Sequence, residues 1–352
     1  MIVIIPSNRE IHLTYLTPLI ESGARFIIVD DSPGTIAIDH PGFKVFNWGD
    51  RKKILGPLDD YFPRRNGACR NFGFLMAWRE AEDEEVIIAL DDDCRIDSSS
   101  YAQDVANALD KKERPVFRGA GVHFNVLDLY KNIHSPLFPR GFPYSARPNY
   151  IPWIADGSMN VRAEFNLGLW TDAFDINAID KIQASKWRYP EAELQFESVI
   201  VPKNALVSVC SMNMQFRRRM IAAVYQLPMH IEAMPGWVID RYGDIWGGFI
   251  LKMLMDRKGE VMTAGGPMIA HLKAGDQQRN SWQEHICHLV NDEFIDLIGT
   301  SVEAIDPDSY SMMMSCLAEE MASRADSCSP LLTGYIRYVA VSMKAWLKAL
   351  GA

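Results

Sequence analysis

The 352-residue chain has no apolar run approaching the roughly 20 residues that a membrane-crossing helix requires. It lacks a basic leader ahead of its first apolar residues, MIVIIPSNRE, so this start reads as a strand and a cytoplasmic location is expected. Cysteine is sparse. Six residues (Cys69, Cys94, Cys210, Cys287, Cys316 and Cys328) are scattered without the density of a disulfide scaffold or the close spacing of a zinc site. Positive charge is in deficit, with 36 Lys and Arg against 45 Asp and Glu and a formal charge of -9. That balance speaks against a broad grip on nucleic acid, so an anionic ligand has to be held locally. No internal repeat, linker or low-complexity tract interrupts the chain. A G-x-G-x-x-G after the first strand is also missing, so neither flavin nor nicotinamide is expected.

What is present is ordinary for a globular protein: 48% hydrophobic and 23% charged residues. Ile2 to Pro6 is a β-branched run, the stretch from Arg9 to Ser22 has helical spacing, and Arg25 to Val29 is a second apolar run closed by Asp30, Asp31 and Ser32. Phe43 to Phe46, Asn66 to Glu82 and Glu85 to Leu90 continue the alternation as strand, helix and strand. Such alternation predicts an α/β fold, a mostly parallel sheet with helices on both faces. Ligands of such sheets gather outside the carboxyl ends of the strands. From Val122 to Asp180 periodicity is poor, and loops with short elements are expected there. Leu206 to Phe216 and Val261 to His271 read as strands, Gly247 to Asp256 as a helix, and the tail from Ser281 as several helices ending with Leu331 to Leu350.

The sharpest chemical signal is Asp91-Asp92-Asp93, directly after the apolar strand EVIIAL. Three adjacent carboxylates repel one another unless a hard cation such as Mg²⁺ or Mn²⁺ neutralises them, commonly sharing its shell with substrate phosphates. In extended backbone the first and third side chains point the same way, which would converge Asp91 and Asp93 on one metal. A solvated turn is the competing reading. Asp30 and Asp31 could accept from a base or a ribose hydroxyl. Asn66 to Gly73, with Arg70 among small residues, suits backbone contact with phosphate or plain close packing. His271 could give an imidazole to a metal and Lys273 a cation to a diphosphate. Asp244, beside Trp246, could meet sugar hydroxyls or merely cap a helix.

In this order the segments IIPSNRE, FIIVDD, NWGDRKKILGP, GACRNFGF, ALDDDC, FPRGFPYSAR, GLW, VPKNALVSVCSMNMQF, RYGDIWGGF and HLKAG resemble the reversibly glycosylated polypeptides, the family that includes UDP-arabinopyranose mutases. The resemblance runs from about residue 2 to residue 290. It implies a nucleotide-sugar fold of the glycosyltransferase A type, a UDP-sugar substrate and a divalent metal, Mn²⁺ or Mg²⁺. By the same resemblance Asp91, Asp92 and Asp93 match the acidic motif that holds metal and diphosphate. Arg140 matches the arginine that becomes reversibly glycosylated, and Arg147 the second arginine of that motif. A guanidinium with a pKa above about 12 is a poor nucleophile, so Arg140 is read either as the glycosylated residue or as an electrostatic clamp on the departing diphosphate.

The chain departs from the family at Gly243-Asp244, where two adjacent acids are usual, and at Asp59 to Asn66, at Asp180 to Phe196 and beyond residue 300. The expected layout is a catalytic domain over 1–290 and a helical extension over 291–352 that covers the site or meets another copy in a homo-oligomer. The first functional reading is a metal-dependent pyranose/furanose mutase of a UDP-pentose with transient self-glycosylation. A glycosyltransferase passing the sugar to an external acceptor, through the aromatic region Phe142 to Trp170, is the alternative. A non-catalytic nucleotide-sugar binder is the third.

Overall fold

A computed structural model describes residues 1–133, 136–272 and 275–351. The N-terminal third is built from β1 (Ile2–Ser7), α1 (Thr17–Glu21), β2 (Arg25–Asp30), β3 (Phe43–Phe46), α2 (Trp48–Leu55), α3 (Arg70–Glu80), β4 (Val86–Leu90), β5 (Cys94–Arg95) and α4 (Tyr101–Leu109). The middle adds β6 (Lys112–Arg118), β7 (Ile154–Val161), β8 (Phe165–Ala173), α5 (Ala178–Gln183), β9 (Arg188–Tyr189), β10 (Ser198–Ile200) and β11 (Asn213–Arg217). The last third holds β12 (Ile231–Met234), β13 (Trp237–Ile239), α6 (Gly243–Lys258), β14 (Met262–His271), α7 (Gln277–Glu303), α8 (Tyr310–Arg324) and α9 (Pro330–Leu350).

One ten-stranded sheet organises these elements in the order β10-β14-β8-β11-β4-β1-β2-β3, with β5 beside β14 and β9 beside β8. Strands β3, β2, β1 and β4 are mutually parallel, β11 runs against both β4 and β8, and β14 runs with β8. All of these except β11 therefore point the same way, and the α/β, mostly parallel sheet is borne out. Because β1, β2, β4, β8 and β14 end at one edge, that edge collects Ser7, Asp30, Asp91, Asp175 and His271. The start of β11, paired with Leu90 through Asn213, brings Ser211 to the same place.

Three sequence expectations change. The single helix over Arg9 to Ser22 is a 3₁₀ turn, Leu13–Leu16, followed by the five-residue α1. Pro18 sits at the start of α1, where its missing N–H costs nothing, and it would have broken a longer helix. The irregular region from Val122 to Asp180 contains β7 and the nine-residue β8. Strand β8 lies inside the sheet with almost every side chain buried, so it shows none of the alternation by which a half-exposed strand is recognised. The strand expected over Leu206 to Phe216 begins only at Asn213; the residues before it are buried but irregular.

The C-terminal helices are packed into the same core as the sheet. Trp346 of α9 lies against Phe62 and Tyr225 and donates to the Ala222 carbonyl at 3.1 Å. Trp78 of α3 donates to the Leu350 carbonyl at 3.1 Å. The expected boundary at 290/291 falls inside α7, a single helix of 27 residues.

Candidate active site

The acidic triplet is not extended. The Cys94 N–H donates to the Asp91 carbonyl at 3.3 Å, closing a turn between β4 and β5, so alternation of side chains does not apply and each carboxylate finds its own partner. Asp91 accepts from Arg70, whose guanidinium is buried and also donates to the Leu90 carbonyl at 3.3 Å. Asp92 accepts from Arg9 and from the Ser7 hydroxyl. Asp93 lies 3.4 Å from Arg9 Nη2 and 3.9 Å from His271 Nε2. Burial and then the charge of Asp91 push the Asp93 carboxyl above its usual value, against the pull of His271 and Arg9. His271, at the end of β14, is fixed by a 2.6 Å bond between Nδ1 and the Ala173 carbonyl. The carbonyl can only accept, so Nδ1–H is the donor, and Nε2 is left facing Asp93.

At the opposite end of the cleft, Arg140 is 7% exposed and held between two carboxylates. Nε donates to Asp175 at 3.0 Å, Nη2 donates to Asp244 at 2.9 Å, and Nη1 donates to the Arg241 carbonyl. Burial opposes the charge, yet Asp175 and Asp244 outweigh it and hold the guanidinium above even its ordinary value. Asp175 is likewise buried, and Arg140 and Lys181 keep its carboxyl below the usual range. Gly141 turns the chain here with φ +87, and a Cβ at that position would run into Ile245 of α6. The turn and α6 thus approach closely enough for Arg140 to reach Asp244.

Asp244 is the second residue of α6, two positions past its cap, and it also accepts from Ser211 N at 3.3 Å and from Ile245 N at 3.0 Å. The cap reading therefore gives way to a carboxylate shared with Arg140. Position 243 has no room for a side chain: a Cβ would lie 2.5 Å from the Leu227 carbonyl.

The two ends meet in adjoining cavities. One, of about 330 Å³, is lined among others by Arg70, Asp91, Arg140, Ser211, Arg241 and Asp244. The other, of about 260 Å³, is lined among others by Ser7, Arg9, Asp31, Arg65, Cys69 and Asp92. Pro6, Arg65, Asn66 and Gly67 border both. Asp31 accepts from Trp48 Nε1 at 2.7 Å and from the Arg65 N–H.

Other expected residues lie elsewhere. Asp30 is 1% exposed, and its carboxylate takes Ser32 at 2.6 Å, Thr35 N at 2.8 Å and Ile36 N at 3.0 Å, so it shapes the loop after β2. Arg147 forms a two-pronged pair with Asp180 at 2.9 and 3.1 Å and stacks 3.9 Å over Tyr144, bordering neither cavity. Lys273 lies outside the described residues. Reasoning from sequence missed Arg9, Arg65, Asp175 and Ser211. Asp175 follows β8 by two residues, the same signal that singled out Asp30 and Asp91, and it went unseen because β8 itself did.

The whole chain, residues 1–352, matches the family profile described as "RGP: Reversibly glycosylated polypeptide". This chain belongs to the reversibly glycosylated polypeptide family. This family member is 26% identical over 363 residues to "UDP-arabinopyranose mutase 1" of Arabidopsis thaliana, covering 99% of this chain and 91% of that protein. It is 24% identical over 358 residues to "Probable UDP-arabinopyranose mutase 2" of Solanum tuberosum, covering 99% and 88%. Against "UDP-arabinopyranose mutase 1" of Oryza sativa subsp. japonica the identity is 24% over 355 residues, covering 99% and 89%. Among solved structures, the mannosyltransferase PcManGT from Pyrobaculum calidifontis in complex with GDP-Man and Mn²⁺ is similar at 11% identity and a TM-score of 0.37, covering 99% of this chain and 85% of that one. That likeness is too weak to carry an assignment. Among the described residues no helix is long and apolar enough to cross a membrane.

Proposed function

We propose that this reversibly glycosylated polypeptide is a divalent-cation-dependent UDP-sugar mutase that interconverts the pyranose and furanose forms of a UDP-pentose. The observation that carries the proposal is that Asp91 of the acidic turn and the doubly held Arg140 line one cavity. A second cavity, beside Asp31, Trp48 and Arg65, continues from it and suits a nucleoside. The full-length similarity to proteins named UDP-arabinopyranose mutases supports this substrate class.

The residues fit a cation whose shell is completed by substrate oxygens. Among the described residues no group of three or more His, Cys, Asp or Glu stands ready to hold a metal. Asp93 and Nε2 of His271 nonetheless face each other at 3.9 Å, and hard cations bound to nucleotides commonly take one or two protein ligands plus phosphate oxygens. Bound by Asp93 and His271 beside Asp91, such a cation would neutralise the diphosphate as it leaves.

The protein's own groups do the remaining work. Arg9 and Arg70, now paired with Asp92 and Asp91, offer charge-assisted donors to the diphosphate. Arg140, kept protonated by Asp175 and Asp244, stands as a fixed cation beside the C1–O bond that breaks with its electron pair passing to UDP. A protonated guanidinium offers no lone pair, which favours the clamp over the sugar carrier. The 4-hydroxyl then adds to C1 and gives up its proton while the C1–O5 ring bond breaks and O5 takes a proton, and the resulting furanosyl cation is recaptured at C1 by the UDP oxygen. Because the cavities are small and bordered by shared residues, the two fragments stay together, and proximity favours recapture over loss.

The test is incubation of the pure protein with Mn²⁺ or Mg²⁺ and a panel of UDP-pentoses and UDP-hexoses, followed by NMR and intact mass. A furanose product formed without an acceptor, and lost on chelation, is expected. Hydrolysis alone, or turnover only when an acceptor is added, would overturn the proposal.

A further inference from the structure

Beside the Arg140 cavity lies a third, of about 440 Å³, lined by the β12–β13 hairpin and the first turns of α7. Three rings stand in a row at its mouth. Trp282 stacks on His285 with centroids 6.4 Å apart and planes 9° apart, and His285 lies 6.2 Å from Trp237. Trp282 is 77% exposed and Trp237 is 41% exposed. A single exposed aromatic needs no explanation, but a row of indole and imidazole faces bordering one concavity does, because these rings otherwise bury their faces.

The hairpin and helix are built to hold the row open. Gly236, with φ +80, makes the turn after Pro235 and sets Trp237 at the start of β13. On α7, Arg279, Trp282 and Gln283 fall on one face by their three- and four-residue spacing, with His285 three residues beyond Trp282. Polar groups converge on the floor. Asp240 accepts from Gln283 Nε2 at 3.1 Å and interacts with His230 Nδ1 at 3.3 Å. The Arg279 guanidinium lines the cavity and has no side-chain bond or ion pair among the described residues. Asp240 and Gln283 line this cavity and the Arg140 cavity alike, so the two adjoin with those side chains between them.

We propose that this cavity is a saccharide-binding subsite, taking a neutral sugar ring or a short oligosaccharide next to the sugar end of the nucleotide-sugar cleft. The placement beside a sugar end rests on the proposed mutase reading; the binding chemistry does not. Sugar rings present C–H faces that lie flat on aromatic rings and hydroxyls at their rims that bond to carboxylate, amide and guanidinium groups. Near-parallel Trp282 and His285, with Trp237 tilted by 37° to His285, beside Asp240, Gln283 and Arg279 meet both demands, and a volume of this size accommodates a small ligand. Asp240 and Gln283, hydrogen-bonding groups shared with the Arg140 cavity, favour a sugar; Leu289, seven residues beyond Trp282 on α7, is also exposed, so a second copy is the competing occupant that sedimentation has to exclude.

The test is titration of the full chain, with and without UDP, with methyl arabinofuranoside, arabinobiose and xylobiose, read by tryptophan fluorescence and saturation-transfer NMR. At least one saccharide is expected to bind, and Trp282→Ala to weaken it by about tenfold or more while UDP affinity and UDP-pentose conversion stay within about twofold of the parent. Trp282 is surface-exposed, so the variant keeps the fold; thermal unfolding of parent and variant should coincide. If no saccharide perturbs the tryptophans, or if Trp282→Ala binds as the parent does, the subsite is refuted. If sedimentation shows that self-association, and not sugar, buries Trp282, it is refuted as well. If saccharide binding and its loss in Trp282→Ala persist while no UDP-pentose is converted, the subsite stands and the mutase reading fails.

Discussion

The acidic turn and the Arg140 station are both assemblies of Arg and Asp, yet they are built in opposite ways. At the turn, Asp91, Asp92 and Asp93 are half-buried; Asp91 is anchored by the buried Arg70, but Arg9, the partner of Asp92 and Asp93, is itself partly exposed. The Arg9 contacts can be exchanged when a cation and a diphosphate arrive. At Arg140 the cation is buried, bridged to two carboxylates and a backbone carbonyl, and supported by a glycine turn on one side and the start of α6 on the other. The first is an ion exchanger; the second is a fixed charge. A site that binds a mobile polyanion and then stabilises charge developing at one bond needs both kinds, because preorganised charge costs no reorganisation at the moment of reaction, whereas binding requires ions that can change partners.

Four measurements would break or sharpen this contrast. The largest effect is expected for Arg140→Ala: turnover should fall by about 10²- to 10³-fold with UDP binding retained. The buried Asp175 and the partly buried Asp244 also lose their shared cation, which should cost about 3–5 kcal/mol in urea unfolding. Full activity in Arg140→Ala would end its assignment as the fixed charge. Asp93→Asn should weaken cation-dependent UDP binding by about 10- to 100-fold in calorimetry, with little change in stability, because its contacts are exchangeable. Unaltered binding would move the diphosphate away from the turn.

Next in size is Gly243→Ala, whose new Cβ would lie 2.5 Å from the Leu227 carbonyl. A loss of about 1–3 kcal/mol is expected, together with reduced turnover as the start of α6 and Asp244 shift away from Arg140. The smallest and most selective effect is on pH dependence. The Asp175 carboxyl is held below its ordinary value, so its ion pair stabilises the fold fully above about pH 4 and is lost as pH falls toward the folded-state value. Acid unfolding of the parent should therefore steepen below about pH 4, and Asp175→Asn should be destabilised at neutral pH while losing that acid dependence. An Asp175→Asn acid profile parallel to that of the parent would show that the pair is not the fixed-charge device described.

Much of the donor half was legible in the sequence. Short apolar runs ending in Pro6, Asp30 and Asp91 mark parallel strands whose carboxyl ends share an edge, and three adjacent acids after a buried strand announce a charged site. Asp30 shows the limit of that signal. It occupies the expected strand end, but neighbouring N–H groups consume its oxygens, and which side of the loop it faces is a matter of backbone path. The Arg140 half was hidden for a different reason. Strand β8 is buried on both faces and so carries no periodicity, and with it went Asp175; the family resemblance supplied Arg140 and Asp244 separately, not their bond.

By itself the sequence determined the α/β alternation, the segments that mark the family, and the residue types available for cation and diphosphate, because strand periodicity and charge clustering are local properties. Only the tertiary structure decided that the acidic triplet is a turn with three different partners, that Arg147 turns to Asp180 instead of the cleft, and that Arg140 is clamped between Asp175 and Asp244. Those contacts join residues 35 and 104 positions apart, and they form because the sheet and the packing of α6 bring distant strand ends and one helix start to the same edge, a proximity no local pattern encodes.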